Sequence, residues 1–301
     1  MYAHILNRLL EFNQIDKPEL YLQNLQSTVK KLRQSYCNNQ VTVNYSDPSI
    51  QAAYLLAYYP QYTEMTHEVF CNLNYNCNYS LFAHRGLQAC FFGAGPAPET
   101  IGWLRYLNSN HPTARYAVAH TYDIAAQTWS KSQEITKYVA SQLFPKLQLT
   151  LNGNSLNLCQ KNAFSSIRDV IQTSRLFFMQ NCLNEFVANS DAFIQNVDFL
   201  ITQIPDNSVL IIADLWNYNS VIKLMEKLEA SISNSSKSKI IRSSEEGGVC
   251  LTSSLTLPQV ITKNLLTYAD GLIPRKYINF NYLAIQKTPR TVKPIFADIP
   301  F

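Results

Sequence analysis

The sequence has no run of about 18 apolar residues, the length that a membrane-spanning helix needs. It also lacks a dense stripe of lysine and arginine, because charged residues make up only 15% of its 301 positions and the net charge is +4. A membrane protein, or one that binds nucleic acid mainly by charge, is therefore not indicated. Hydrophobic residues make up 47%, which is enough to build a core and excludes a wholly disordered chain.

Metal-binding cysteine patterns are also absent. The 7 cysteines form no C-x-x-C pair and no cysteine–histidine cluster with zinc spacing, so we predict no metal site. Scattered cysteines in odd number are typical of reduced thiols, and the N-terminal residues lack the apolar region of a secretory signal. We therefore expect a cytoplasmic protein. Cys90 and Cys182 lie in apolar runs and are predicted to fill the core.

Residues 1–80 are predicted to form an N-terminal helical cap. Apolar residues recur there at helical spacing, with Pro48 placed to begin a helix that Asp47 or Ser46 would cap. The asparagine-rich stretch 72–79 is typical of a surface loop. One apolar helix face illustrates the spacing: Leu22, Leu25, Val29, Leu32 and Tyr36.

Residues 81–301 have a different pattern, in which short apolar runs alternate with amphipathic segments. This alternation predicts an α/β domain with a doubly wound, mostly parallel sheet of about seven strands and helices on both faces. The apolar runs are the predicted strands, and polar residues such as Asp123 and Asp214 follow them directly.

The segment from Ala89 to Glu99 combines an apolar strand, the turn 93–96 and the start of a helix. Glycines at 93 and 95 allow the backbone to turn tightly and to approach a ligand without an intervening Cβ atom. Free N–H groups at the start of the following helix favour an anionic group. Asp123, at the end of the next strand, is placed to bind both hydroxyls of a ribose. Pro96 and the two residues after it leave no third glycine of the dinucleotide fingerprint, which argues against NAD and FAD.

Taken in order, these features resemble the motifs of class I S-adenosylmethionine-dependent methyltransferases. The resemblance also covers residues 179–185 at the end of the fourth strand, residues 210–214 as the fifth strand, and residues 282–287, which are similar to that family's last, antiparallel strand. It implies the Rossmann-like methyltransferase fold and S-adenosylmethionine as the cofactor.

The resemblance implies a role for each matching residue. The two glycines would pass the methionine part of the cofactor, Asp123 would bind the ribose, and Ile124 would lie beside the adenine. The two residues that follow the fourth strand would lie close to the sulfonium and its methyl group. The family's acid near the adenine amino group has no clear counterpart, and Asn154 or Asn157 would substitute for it. The implied cofactor-binding residues are Gly93, Ala94, Gly95, Pro96, Glu99, Asp123, Ile124, Gln180 and Asn181.

The sequence leaves the catalytic residue open, because the methyl group is already activated and a base is needed only when the acceptor must lose a proton. Glu185 is a candidate base, with a solvated side chain as the alternative. His84 and His67 are candidates because both can reach the cleft, although an isolated histidine is more often structural. Asp214 either binds substrate or shapes a loop. A group of front tyrosines is interpreted first as packing and alternatively as part of the substrate site: Tyr45, Tyr54, Tyr58, Tyr59 and Tyr62.

A methyltransferase acting on a small molecule is the leading prediction, because the cap can enclose a pocket. The fourth strand is not followed by the Asn-Pro-Pro-aromatic segment that would favour methylation of adenine N6 or glutamine. One alternative is a nicotianamine-synthase-like enzyme that transfers an aminoalkyl group from the same cofactor. Another is a non-catalytic methyltransferase-fold protein acting in assembly, and a dehydrogenase ranks last. Nucleic acid and membrane partners are not favoured, and no feature indicates an oligomeric state.

Overall fold

The computed structural model describes residues 1–37, 43–76, 87–233 and 237–289. The candidate His84 and the predicted boundary near residue 80 lie outside these ranges. The helices are α1 (Tyr2–Phe12), α2 (Pro18–Cys37), α3 (Pro48–Ala57), α4 (Tyr59–Asn76), α5 (Pro98–Asn110), α6 (Ser130–Leu143), α7 (Arg168–Thr173), α8 (Leu183–Phe186), α9 (Ser190–Gln203), α10 (Asn219–Ser233) and α11 (Gln259–Asn264). The strands are β1 (Gln88–Phe92), β2 (Tyr116–Asp123), β3 (Gln148–Ser155), β4 (Leu176–Gln180), β5 (Val209–Leu215), β6 (Ser238–Arg242), β7 (Val249–Thr252) and β8 (Tyr277–Lys287).

The start of α3 follows from local sequence. The Asp47 carboxylate accepts a hydrogen bond from the Ser49 N–H at 2.8 Å, and Pro48 is the first helical residue, which confirms the predicted start. The predicted loop 72–79 is wrong for residues 72–76, which continue α4, and the rest lies outside the described residues. Burial of an apolar face that extends to Leu73 outweighs the weak helix propensity of asparagine.

The central sheet confirms the predicted doubly wound, mostly parallel arrangement. Its strand order is β3-β2-β1-β4-β5-β8-β6, and β7 also pairs with β8. The first five strands are parallel, whereas β8 is antiparallel to β5. The sheet has 8 strands because β6 and β7 pair with opposite ends of the long strand β8.

Helices cover both faces of the sheet. In β4, Leu176 and Phe178 face one hydrophobic cluster, and Phe177 and Met179 face the other. The first cluster includes residues of α1–α6 and α11, and the second includes residues of α7, α9 and α10. Burial on both faces explains why these strands are continuous apolar runs in the sequence. Cys90 and Cys182 are buried in the second cluster, as predicted. No helix in the described ranges is long and apolar enough to cross a bilayer.

Helix α4 of the predicted cap packs directly on the sheet, beside α5. The Phe70 ring lies 5.5 Å from the Phe178 ring of β4. Gly102 of α5 allows the two helices to approach closely, because a Cβ atom there would lie 2.5 Å from the Thr66 Cβ and 2.6 Å from the Thr63 carbonyl oxygen of α4. This contact holds the part of α4 that contains Tyr62 and Thr66 next to the end of β4.

Replacing Gly102 by alanine is expected to destabilise the protein by about 1–3 kcal/mol, because the added methyl group overpacks the α4–α5 contact. This exceeds the gain in helix propensity of up to about 1 kcal/mol. The measurement is the free energy of unfolding by urea. Ser109→Ala, at an exposed position of the same helix, is the control and should stay within about 0.5 kcal/mol of the wild type. A Gly102→Ala variant as stable as the wild type would contradict the close contact.

Candidate functional site

The carboxyl ends of β1, β2, β4 and β5 meet at one edge of the sheet. Strand β1 pairs with β2 on one side and with β4 on the other, so the order in which the strands are added to the sheet reverses at β1. Such a switch point leaves a crevice beyond the strand ends, where open α/β sheets bind ligands. A partly open cavity, the inner cavity, lies here and is lined by Tyr36, Tyr45, Tyr54, Tyr62, Gly93, Ala94, Gly95, Pro96, Glu99, Asp123, Ile124, Ala125, Trp129, Gln180, Asn181, Asn184, Glu185, Asp214, Leu215, Tyr218 and Arg275. The implied cofactor-binding residues from Gly93 to Asn181 given above are all among them, whereas Asn154 and Asn157 are not.

The turn after β1 is held in place by its neighbours. The Gly93 N–H donates to the Tyr122 carbonyl at 2.7 Å. From α6, the Gln133 amide donates to the Gly95 carbonyl at 2.8 Å, and the Thr136 hydroxyl donates to the Pro96 carbonyl at 2.6 Å. These bonds pair the backbone groups of the turn with neighbouring elements of the fold and so define its shape.

Backbone conformation favours glycine at both positions of the turn, and packing also favours it at Gly93. Gly93 and Gly95 have φ values of +65° and +50°, which favour glycine. A Cβ atom on Gly93 would lie 2.8 Å from the Cys182 Cβ, and one on Gly95 would lie 3.4 Å from the Trp129 ring. Glycine at 93 therefore also admits the Cys182 side chain against the turn, whereas a Cβ atom on Gly95 would make only ordinary van der Waals contact with Trp129.

Asp123 connects the turn to the end of β2. One oxygen of its carboxylate accepts the Gly95 N–H at 2.9 Å, and the other accepts the Ala125 N–H at 2.8 Å. Burial raises the pKa of this carboxyl, and the bonds from Ala125 and Gly95 oppose the rise. Each carboxylate oxygen has a further lone pair available to a ligand. The neighbouring Ile124 is 64% exposed on the cavity wall, a surface that a flat apolar group can cover.

Three other acids line the inner cavity and have raised pKa values. Burial raises the pKa of Glu99 well above its usual range. Burial raises the pKa of Asp214 to about 7, although its carboxylate accepts the Leu183 N–H at 2.9 Å and the Leu215 N–H at 2.7 Å. These bonds fit the predicted loop-shaping role. Glu185 lies at the rim with much of its side chain accessible to water. The surrounding walls desolvate its carboxylate and, with Asp123 and Asp214, raise its pKa to about 7.

Several buried polar atoms on the cavity wall have no hydrogen-bond partner among the described residues. They are both side-chain polar atoms of Asn181, Oδ1 of Asn184 and Oε2 of Glu99. An unpaired buried polar group costs about 1–3 kcal/mol, so such groups in native proteins ordinarily have a partner. The set offers both donors and acceptors to a zwitterionic group. An amino acid's ammonium and carboxylate, as in the methionine part of S-adenosylmethionine, fit this chemistry.

Gln180 differs from its expected orientation. Its Oε1 accepts a hydrogen bond from the Thr66 hydroxyl at 2.7 Å, and its Nε2 donates to the Tyr62 carbonyl at 3.1 Å. The amide therefore secures α4 to the end of β4, and Asn181 supplies the free polar atoms at this strand end. Asn154 and Asn157 are exposed and do not line the inner cavity.

His67, a candidate catalytic residue, lies outside the inner cavity. It is half-buried on α4, and its Nε2 is 3.7 Å from the Cys71 Sγ. Burial, reinforced by the charge of Arg105, lowers its pKa to about 4. It is therefore neutral at physiological pH, and it does not line the inner cavity. Within the described ranges, no group of three or more His, Cys, Asp or Glu residues is placed to hold a metal ion.

Aromatic side chains from the N-terminal region and from the residue just before α6 line the inner cavity as a group that we call the aromatic roof: Tyr36, Tyr45, Tyr54, Tyr62 and Trp129. The Tyr45 ring lies 5.0 Å from the Trp129 ring, and the Tyr54 ring lies 5.9 Å from it. Of the front tyrosines, Tyr45, Tyr54 and Tyr62 thus pack in the aromatic group and also line the site, whereas Tyr58 and Tyr59 are buried and do not line it. Sequence reasoning missed Trp129, Tyr218 and Arg275. The position of Tyr218 shortly after the fifth strand was the available signal for that residue.

No protein-family model matches the chain, and no curated protein matches it. Among solved structures it is similar to the CurJ carbon methyltransferase at 12% identity, with a TM-score of 0.45 over 91% of this chain and 72% of that one. It is similar to the plantazolicin methyltransferase BamL, solved with a triazolic desmethylPZN analog and SAH, at 11% identity and a TM-score of 0.42 over 90% and 99%. An O-methyltransferase family protein from Burkholderia thailandensis has 10% identity and a TM-score of 0.41 over 95% and 73%.

The strand arrangement is the stronger observation about the fold. Parallel strands wind in both directions from β1, and an antiparallel β8 follows β5 in the sheet, as the sequence resemblance implies. The chain has a Rossmann-like, doubly wound α/β fold. Its function is inferred from the residues at the strand ends.

Proposed function

We propose that the protein is an S-adenosylmethionine-dependent methyltransferase that acts on a small molecule. The observation that carries this proposal is the convergence of the turn 93–96 and the Asp123 carboxylate on one cavity. They are joined by the 2.9 Å bond from the Gly95 N–H, and unpaired polar atoms of Asn181 and Glu99 lie on the same wall.

The residues of the inner cavity suit the parts of this cofactor. The free lone pairs of Asp123 would accept the ribose hydroxyls, and Ile124 would pack on the adenine. The amide of Asn181 would bind the polar end of the methionine part beside Gly93. Acids on the wall favour a ligand with a net positive charge, which the ammonium and sulfonium together provide.

The bound cofactor would supply a methyl group on a positively charged sulfur, which is already activated for transfer to a nucleophile. The protein then needs to align the acceptor and to exclude water. The aromatic roof would exclude water from the site. Glu185, with a pKa of about 7, is suited to take a proton from the acceptor at neutral pH. A roof built from four tyrosines and Trp129 favours a small acceptor over a macromolecule.

The direct test is calorimetric binding of S-adenosylmethionine and S-adenosylhomocysteine to the full chain. Both should bind, and turnover should release S-adenosylhomocysteine. Release of methylthioadenosine instead would identify aminoalkyl transfer. Absence of binding, together with copurifying RNA, would overturn the enzyme proposal and favour a role in assembly.

A further inference from the structure

A second cavity of about 320 Å³, the outer cavity, adjoins the inner one. Tyr36, Tyr218 and Arg275 line both, so the two spaces meet at these side chains. None of the residues proposed to hold the cofactor lines the outer cavity. Its lining comes from α2, the junction of α3 and α4, the segment after β5 and the segment before β8: Arg33, Tyr36, Ala57, Tyr58, Tyr218, Ile273 and Arg275.

Charge is distributed unevenly between the two cavities. The four acids, Glu99, Asp123, Glu185 and Asp214, line only the inner cavity. Among the described residues that line the outer cavity, two are arginines and none is acidic. A ligand spanning both spaces would therefore meet acidic side chains near the proposed cofactor, Arg275 where the two cavities meet and Arg33 at its far end.

The two arginines differ in what they contact. Arg33 donates to the Gly271 carbonyl at 3.1 Å and to the Ile273 carbonyl at 2.7 Å, which fixes the chain just before Arg275. Arg275 is half-buried and lies over the Tyr58 ring, with its guanidinium carbon 5.6 Å from the ring centre. It forms no ion pair within the ranges that the structure describes. Its planar donor fork is therefore positioned but open to an anion.

Tyrosine rings beside Arg275 provide apolar surface of fixed orientation. The Tyr36 ring lies 5.0 Å from the Tyr58 ring at an interplanar angle of 87°. The Tyr36 hydroxyl lies 2.7 Å from that of Tyr45, and the Tyr218 hydroxyl donates to the Tyr36 carbonyl at 2.5 Å. Rings held in this way favour a flat apolar group, which gains dispersion and edge-to-face contacts.

We infer that the outer cavity binds the ring and carboxylate of a small aromatic acid, with Arg275 paired to the carboxylate and the tyrosine rings packed on the ring. This inference rests on the proposed function in one respect, which is that the aromatic acid is taken to be the methyl acceptor. A cationic amine is disfavoured because it would place its charge beside Arg275 without an acid on the same wall. A neutral ring would leave the guanidinium partly desolvated and unpaired, which costs free energy.

The test uses 4-hydroxybenzoate, its neutral analogue 4-hydroxybenzamide and the cationic 4-hydroxybenzylamine as probes. Binding to the full chain is measured by calorimetry with S-adenosylhomocysteine present. A charge-assisted bidentate contact predicts that the benzoate binds about 10-fold more tightly than the amide. Arg275→Gln should abolish this difference without changing the affinity for S-adenosylhomocysteine, and Arg275→Lys should restore part of it. Arg168→Gln, the same change at an exposed position of α7, should match the wild type.

Other results would overturn the inference. These are equal affinities for the benzoate and the amide, tighter binding of the amine, no binding of any probe at millimolar concentration, or an Arg275→Gln variant that keeps the preference. Circular dichroism establishes that the variants are folded. If S-adenosylhomocysteine fails to bind the wild type while the benzoate preference depends on Arg275, the proposed function fails and the anion site remains.

Discussion

Replacing Asp123 by alanine is expected to weaken the binding of S-adenosylhomocysteine by about 10- to 100-fold, because the ribose hydroxyls lose the charged carboxylate to which they would donate hydrogen bonds. The substitution also removes the acceptor of the Gly95 and Ala125 N–H groups. The turn therefore loses a support, and the ligand loses a hydrogen-bond partner. Calorimetric titration of each variant gives the affinity directly.

Two controls separate these effects. Asp123→Asn keeps an oxygen that can accept the Gly95 N–H but removes the charge, and it is expected to fall between the wild type and the alanine variant. Asp191→Ala removes an exposed acid from the first turn of α9, on the other side of the sheet, and should bind as the wild type does. If Asp123→Ala retains wild-type affinity, the ribose role is wrong.

Replacing Glu185 by glutamine is expected to lower kcat/KM by about 10²- to 10⁴-fold for an acceptor that must lose a proton, the usual contribution of a general base. The base acts when deprotonated, so the wild-type rate should rise with pH up to a midpoint at about 7 and then level off. The glutamine variant should lose this limb of the profile.

Carbon-13 NMR of protein labelled at the glutamate carboxyl tests the same group without turnover. Glu99 and Glu185 both have pKa values raised above the usual glutamate range, and the signal that titrates at about 7 should be the one that disappears in Glu185→Gln. Asp214 also has a pKa of about 7, but the glutamate label excludes it. Because the folded state raises this pKa, Glu185 favours folding most at low pH, and that contribution is lost as the pH rises through about 7. A Glu185 signal that titrates at the usual glutamate pKa would contradict its assignment as the base.

Much of the floor of the inner cavity was predictable because it consists of local features. Gly93, Gly95 and Asp123 follow apolar strands directly, and the carboxyl ends of parallel strands must meet at one edge of the sheet. The pattern of apolar runs likewise predicted the doubly wound sheet. The division of the chain near residue 80 remains a proposal.

The rest of the site depends on contacts between distant parts of the chain. Arg275 reaches the cavities only because β8 inserts beside β5, and Trp129 only because α6 packs against the turn. Gln180 has the position that its strand predicts, but α4 competes for its amide. No single-sequence pattern specifies such a competition, since it depends on how closely Gly102 allows the helices to pack.

The carbonyl groups of the turn are held by Gln133 and Thr136 of α6, neither of which lines the inner cavity. The shape of the turn is thus set by a helix whose inner face, with Gln133 and Thr136, does not contact the ligand space. As the chain diverges in evolution, selection on that inner face would be nearly as strict as on the turn itself, and a change at Thr136 would reach the ligand through the backbone it supports.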